Sequence, residues 1–157
     1  MNIYKNFIAT NDCDKIHKLL LSYEFPWYYH PYQATLKDNF FLGHTFFKDG
    51  EINSEKISYL EPILNKLKPK KILNIRANLC LKRPSRCDWH VDKYTDNLTH
   101  KTAIYYVNTN NGYTEFKNKK VTCIQNQIVI FDAYLKHRAE IQTDKDMRVV
   151  INFNYEC

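Results

Sequence analysis

The chain has 157 residues, 44% of them hydrophobic and 25% charged, with a formal charge of +6. That length suits one domain with a buried core, expected here over residues 1–157, and the composition is that of an ordinary globular protein. Only 3 Gly and 5 Pro argue against linkers, and there is neither an apolar run of about 18 residues to span a bilayer nor an opening signal-peptide core.

The five cysteines (Cys13, Cys80, Cys87, Cys123 and Cys157) are odd in number and lack close metal spacing. Thiols in a reducing cytoplasm are therefore expected rather than disulfides. Basic residues cluster at Lys66–Lys71, at Lys82, Arg83 and Arg86, and at Lys117, Lys119 and Lys120. The bland reading is solvated loops and a basic helix end. The sharper one is attraction of an anionic partner such as nucleic acid, with the cluster before His90 placed to border a site mouth.

In chain order, residues 1–9 suit a short strand. Asn11, Asp12 and Asp14 offer N-cap oxygens and first-turn acids, and Ile16, Leu19 and Leu20 recur at helical spacing. The reading is an amphipathic helix over 12–23. The aromatic run Phe25 to Pro31 stops it, either to pack against a sheet or to line an entrance. Asn39 to Lys48 reads as a strand, with Asp49-Gly50 as its turn. Ser54 is placed to cap a helix carrying Ile57, Leu60, Ile63, Leu64 and Leu67, which Pro62 must kink or restart and Pro69 ends.

Lys71 to Leu81 alternates: Leu73, Ile75, Ala77 and Leu79 on one face, Asn74, Arg76, Asn78 and Cys80 on the other. The polar face lies in water if the strand is half exposed, and toward the site if it belongs to a barrel. Strands are expected at 102–108, 113–116, 120–124, 127–131 and 147–155, with Asn- and Gly-rich separators. Such punctuation, with 12 Tyr and 9 Phe, suits an antiparallel sandwich or barrel. His17 and His100 read as surface groups, and His30 and His44 as packing among aromatics.

The chemistry concentrates between His90 and Arg148. In a strand, residues two apart share a face, so His90 and Asp92 converge while Val91 turns away. His137, from a later strand, makes the set two histidines and one carboxylate, which occupies one face of an octahedral iron. Arg148 follows on a strand that can run back beside the site, and its planar fork suits a carboxylate. Alone, His-x-Asp is a common chance pattern.

The ordered set is more specific: His90-x-Asp92, Tyr105-Tyr106-Val107-Asn108, Gly112-x-Thr114-x-Phe116, Phe131-Asp132, His137, then Arg148. It resembles the Fe(II)/2-oxoglutarate-dependent oxygenases, the prolyl-4-hydroxylase-like branch in particular, and looks closest to small phage-encoded members. The resemblance covers roughly 70–155, about half the chain. It implies a mostly β fold, a double-stranded β-helix or jelly roll over 71–157, with a helical support region over 1–70. It matches His90, Asp92 and His137 to the iron ligands, Arg148 and Tyr106 to the partners of the distal carboxylate of 2-oxoglutarate, and Asn78 to an asparagine of some branches. Two positions depart. Cys80 stands where many relatives carry a second tyrosine that binds 2-oxoglutarate, and a thiol is a poor donor. Asn126 stands where they usually place glycine, and asparagine also tolerates positive φ.

The resemblance further implies Fe(II), 2-oxoglutarate and O2 as cofactor and cosubstrates, with ascorbate as a stimulant. It implies release of succinate and CO2, and hydroxylation rather than halogenation because Asp92 is present. The substrate is left open among a protein side chain such as prolyl, a nucleobase and a small metabolite, as is the oligomeric state. Residues 93–99 and the aromatic segment at Trp27 are the expected seats of specificity. For a phage protein, the cytoplasm is that of the host cell. Two other classes compete: a non-catalytic jelly-roll module, for instance of a virion, and a zinc hydrolase, in which Arg148 and Tyr106 have no evident role.

Overall fold

The structure, a computed structural model, describes residues 1–31, 40–83, 86–92 and 99–157. In order come β1 (Asn2–Tyr4), α1 (Thr10–Leu20), β2 (Tyr28–His30), β3 (Phe41–Lys48) and β4 (Glu51–Ile52). A 3-10 helix (Glu55–Leu60) leads into α2 (Glu61–Leu67), followed by the long β5 (Lys71–Leu81). Then follow β6 (His100–Tyr106), β7 (Tyr113–Phe116), β8 (Lys119–Thr122), β9 (Gln127–Asp132), β10 (His137–Glu140) and β11 (Met147–Glu156).

Among the described residues the strands form two antiparallel sheets of a jelly roll. The larger runs β1-β9-β6-β11-β5-β3-β2, with β4 paired to β3; the smaller runs β10-β7-β8. Alternation along the central strands divides the core. Ile75, Ala77, Leu79, Val149, Ile151 and Phe153 pack outward with Ile16 and Leu20 of α1 and Ile63 of α2. Ile104, Tyr106, Val129, Phe131 and Val150 face inward, against Phe116 and Val121 of the smaller sheet. Each buried Val, Leu, Ile or Phe contributes about 1.5–3 kcal/mol, so both faces hold the sheet, and the polar side chains of the inner face are left to position a site. No described helix is long and apolar enough to cross a membrane.

Local features differ from the sequence reading. Helix α1 starts at Thr10 with Ala9 as N-cap and no side-chain cap, not at the predicted Asp12. The reason lies in Asn126, whose Oδ1 accepts from Ile8 N–H and whose amide donates to Ile8 O; this anchors the chain just before the helix. Ser54 likewise caps with backbone only. Pro62 restarts the helix, sitting in the first turn of α2 where no amide donor is needed. The alternation of β5 breaks at Leu73. Tyr155 pairs with Ile72 and Asn154 with Asn74, so a bulge puts Ile72 rather than Leu73 against the outer core. His100 is fully buried, not a surface group, because β6 is an interior strand whose first residue pairs with Glu156. The Asp49-Gly50 turn is present with both residues at positive φ. The strand expected from Asn39 begins at Phe41. Residue 39 and most of the 93–99 loop (93–98) lie outside the described residues.

Candidate metal centre and anion pocket

His90 and Asp92 are not on a regular strand. His90 forms an isolated bridge with His137, each amide donating to the other's carbonyl at 3.0 Å, and Asp92 N–H donates to Ala133 O at 3.1 Å. Backbone pairing thus brings the three side chains together, in place of the shared strand face that the His-x-Asp spacing predicts. Their ligand atoms lie within 4.8 Å of one another. His90 Nε2 is 3.7 Å from Asp92 Oδ1, and His137 Nε2 is 3.7 Å from Asp92 Oδ2. These gaps are long for hydrogen bonds and suit a shared cation.

The imidazoles are oriented for ligation. His90 Nδ1 donates to Asp88 O at 2.8 Å and His137 Nδ1 to Leu135 O at 3.1 Å. That assigns the proton to Nδ1 and leaves each Nε2 lone pair facing Asp92, the usual outer-shell arrangement of metal-binding histidines. Asp92 Oδ2 is buried with no hydrogen-bond partner. A buried, unpaired carboxylate oxygen is costly, and a metal ion removes the cost. Phe131 and Phe116 wall in His137, at ring separations of 4.8 and 6.0 Å. Burial tends to lower both histidines. At His90 it is outweighed by contacts with Cys87, the Asp88 carbonyl and Asp92, which push the imidazole up to about 9, so at neutral pH a metal ion would take the Nε2 lone pair in exchange for a proton. At His137 burial prevails, opposed by Asp92 and reinforced by His90.

The cleft beside these residues has a volume of about 350 Å³ including its open mouth, and is lined by His90, His137, Asn78, Thr114, Arg148 and Asn152 among others. A larger hollow of about 670 Å³ at Asp12, Lys15 and Tyr59 is an open surface depression away from the histidines.

Arg148 is 2% exposed. Its Nε donates to Cys123 Sγ at 3.0 Å, and Cys80 lies opposite it in register on β5. Burial pushes both thiols up and the Tyr106 hydroxyl too, so all three are neutral at pH 7. Among the described residues no carboxylate pairs with Arg148, and a buried guanidinium of this kind calls for an anion. Gly112 makes room for it: a Cβ there would come within 3.1 Å of Arg148 Cδ and 2.8 Å of Asn110 Oδ1.

The remaining candidates lie close by. Asn78 lines the cleft, with Oδ1 accepting from Arg76 Nε at 2.8 Å. Tyr106 faces inward but donates its hydroxyl to Thr114 Oγ1 at 2.8 Å, so Thr114 stands between it and the cleft. Sequence reasoning did not single out Thr114 as a site residue. The signal was its inward place in the Gly-x-Thr-x-Phe alternation.

No protein-family model matches the sequence, and no curated protein matches it. Solved structures do. A prolyl hydroxylase from Trichoplax adhaerens, in complex with a hypoxia inducible factor peptide fragment, matches with a TM-score of 0.69 at 14% identity, covering 99% of this chain and 83% of the other. A non-heme alpha ketoglutarate dependent epimerase from nogalamycin biosynthesis matches with a TM-score of 0.71 at 11% identity, covering 98% and 77%. A prolyl-4-hydroxylase from Pseudomonas putida matches with a TM-score of 0.64 at 10% identity, covering 99% and 91%. The chain therefore has the jelly-roll fold of the 2-oxoglutarate/Fe(II) oxygenases.

Proposed function

We propose that the chain is an Fe(II)- and 2-oxoglutarate-dependent dioxygenase that hydroxylates its substrate with release of succinate and CO2. One observation carries the reading: two Nε2 lone pairs and an unpartnered carboxylate oxygen converge beside a buried guanidinium that has no carboxylate partner among the described residues. His90, Asp92 and His137 would hold the iron, leaving its other positions for cosubstrate and O2. Bound there, iron supplies O2 activation coupled to oxidative decarboxylation of 2-oxoglutarate.

The chain's own residues do the rest. Arg148 pairs with the distal carboxylate of 2-oxoglutarate. Thr114, with its hydroxyl oxygen engaged by Tyr106, presents its own O–H as a second donor, so Tyr106 acts through Thr114. Asn78 offers the amide N–H groups left after Arg76 takes its oxygen. The Phe131 and Phe116 rings keep water from the His137 side. A zinc hydrolase would leave Arg148 without a role.

The test is succinate formation from 2-oxoglutarate with Fe(II), ascorbate and O2, with direct binding measured in parallel. Arg148→Lys keeps the charge but loses the fork and should raise the 2-oxoglutarate KM. Arg148→Ala should nearly abolish cosubstrate binding while iron binding persists. Undiminished binding by Arg148→Ala would put the clamp elsewhere. A parent protein that neither binds nor consumes 2-oxoglutarate is a non-catalytic module.

A further inference from the structure

The inner face of the larger sheet holds a second guanidinium for which 2-oxoglutarate does not account. Arg76 lies on β5 on the same face as Asn78 and Cys80. Its row is four residues along from the row of Arg148, about 13 Å at strand rise. Its Nε is tied to Asn78 Oδ1 at 2.8 Å, and its guanidinium lies 5.0 Å over the Phe41 ring. His30 is stacked on that same ring at 4.6 Å and 9°. Among the described residues no carboxylate pairs with Arg76, which is only partly exposed. Its register neighbour on β11 is Asn152. Asn152 lines the same cleft as His90 and His137, and its Oδ1 is buried without a hydrogen-bond partner.

A cosubstrate held at Arg148 by one carboxylate and at the metal by the other has both charges engaged. The cation at Arg76 and the acceptor at Asn152 are then left over at paired positions of β5 and β11 on the same face, the guanidinium turned toward Phe41 of β3. A half-buried cation and a buried lone acceptor are complementary to an anion that also carries a donor.

We propose that Arg76 and Asn152 form the substrate subsite. Arg76 binds an oxyanion of the substrate, a carboxylate or a phosphate, and Asn152 Oδ1 accepts from an adjacent O–H or N–H. Neutral or cationic side chains are thereby disfavoured as substrates. The assignment of this subsite to substrate rests on the oxygenase reading; oxyanion binding at Arg76 does not.

The test follows the arginine Nε–H resonances by NMR in protein loaded with Zn(II) and 2-oxoglutarate. Inorganic phosphate and acetate are titrated in separate arms at constant ionic strength, with chloride as reference. The Arg76 resonance, identified by its loss in Arg76→Lys, should shift saturably with one of the two anions, and the tighter arm names the oxyanion. Arg76→Met keeps an apolar stem over Phe41 and should weaken that anion about tenfold or more, with zinc binding unchanged. Asn152→Ala should leave the bare anion bound. A response no larger than that to chloride reduces Arg76 to a cation–π cover for Phe41 and overturns the proposal. So does a shift produced by 2-oxoglutarate and reversed by phosphate, which would make Arg76 part of the cosubstrate site. If the protein fails to bind 2-oxoglutarate, the oxygenase reading falls, while phosphate titration of the zinc-loaded protein still decides whether Arg76 binds an oxyanion.

Discussion

Asn126 shows how much one residue carries. Its φ of 60° is the conformation that glycine adopts most easily. Its side chain does what glycine cannot: it bonds both Ile8 N–H and Ile8 O and accepts from Tyr105 Oη at 3.2 Å. Asn126→Gly keeps the turn but orphans these groups, at about 1–3 kcal/mol for each buried one. Urea unfolding should show a lower midpoint with little change in slope, and an unchanged midpoint would make the bonds incidental. Cys80 is the second case. It is fully buried against Phe41 and Ile141, so restoring the tyrosine of the resembled family overfills the site. Cys80→Tyr should destabilise by about 1–3 kcal/mol rather than tighten 2-oxoglutarate binding, and a raised melting temperature would show room that the packing denies. The three converging side chains were legible in the sequence because His90-x-Asp92 and His137 stand in a fixed order. Thr114 was not, because threonine in an alternating strand reads as ordinary β-sheet surface until the facing sheet is known.

Elements with a clean period were the readable ones. The sequence-derived bounds of β5 match the structure, and the two faces of β11 divide as their alternation predicts. The bulges at Leu73 and in β3 between Thr45 and Phe47 left no compositional mark, since neither contains glycine or proline. The bridge holding His90 was equally hidden, because it depends on a partner strand 47 residues away. That bridge is braced from the side. Arg138 on β10 pairs with Glu115 of β7, with Nε and Nη2 each 2.7 Å from Oε2, and its guanidinium lies 4.6 Å over the Trp89 ring, next to His90. One side chain therefore links the two segments that supply both histidines. Arg138→Leu should weaken Fe(II) binding by about tenfold, the low end for groups that orient ligands, with little change in overall stability. Calorimetry showing unchanged metal affinity would reduce the brace to surface decoration.

At the scale of the whole molecule, the larger sheet separates two tasks. Its outer face buries apolar side chains against α1 and α2, and its inner face carries Arg148, Asn78 and Asn152 into the cleft, with Arg76 further along the same face of β5. Burial also sorts the thiols. Cys80 and Cys123 are enclosed and pushed up, while Cys157 is exposed. An alkylating reagent at neutral pH should modify Cys157 first and reach Cys80 and Cys123 only on unfolding. Peptide mapping that finds Cys123 modified as quickly would mean that the Arg148 pocket opens to solvent. The central claim, that His90, Asp92 and His137 form one iron site coupled to a 2-oxoglutarate pocket, has a direct test. Apo-protein is titrated anaerobically with Fe(II) and then with 2-oxoglutarate, for the parent and for His90→Ala combined with His137→Ala. The parent should bind about one Fe(II) per chain and take up 2-oxoglutarate tightly only afterwards, and the double variant should lose tight binding of both. A double variant that binds Fe(II) with the parent's affinity would contradict the account.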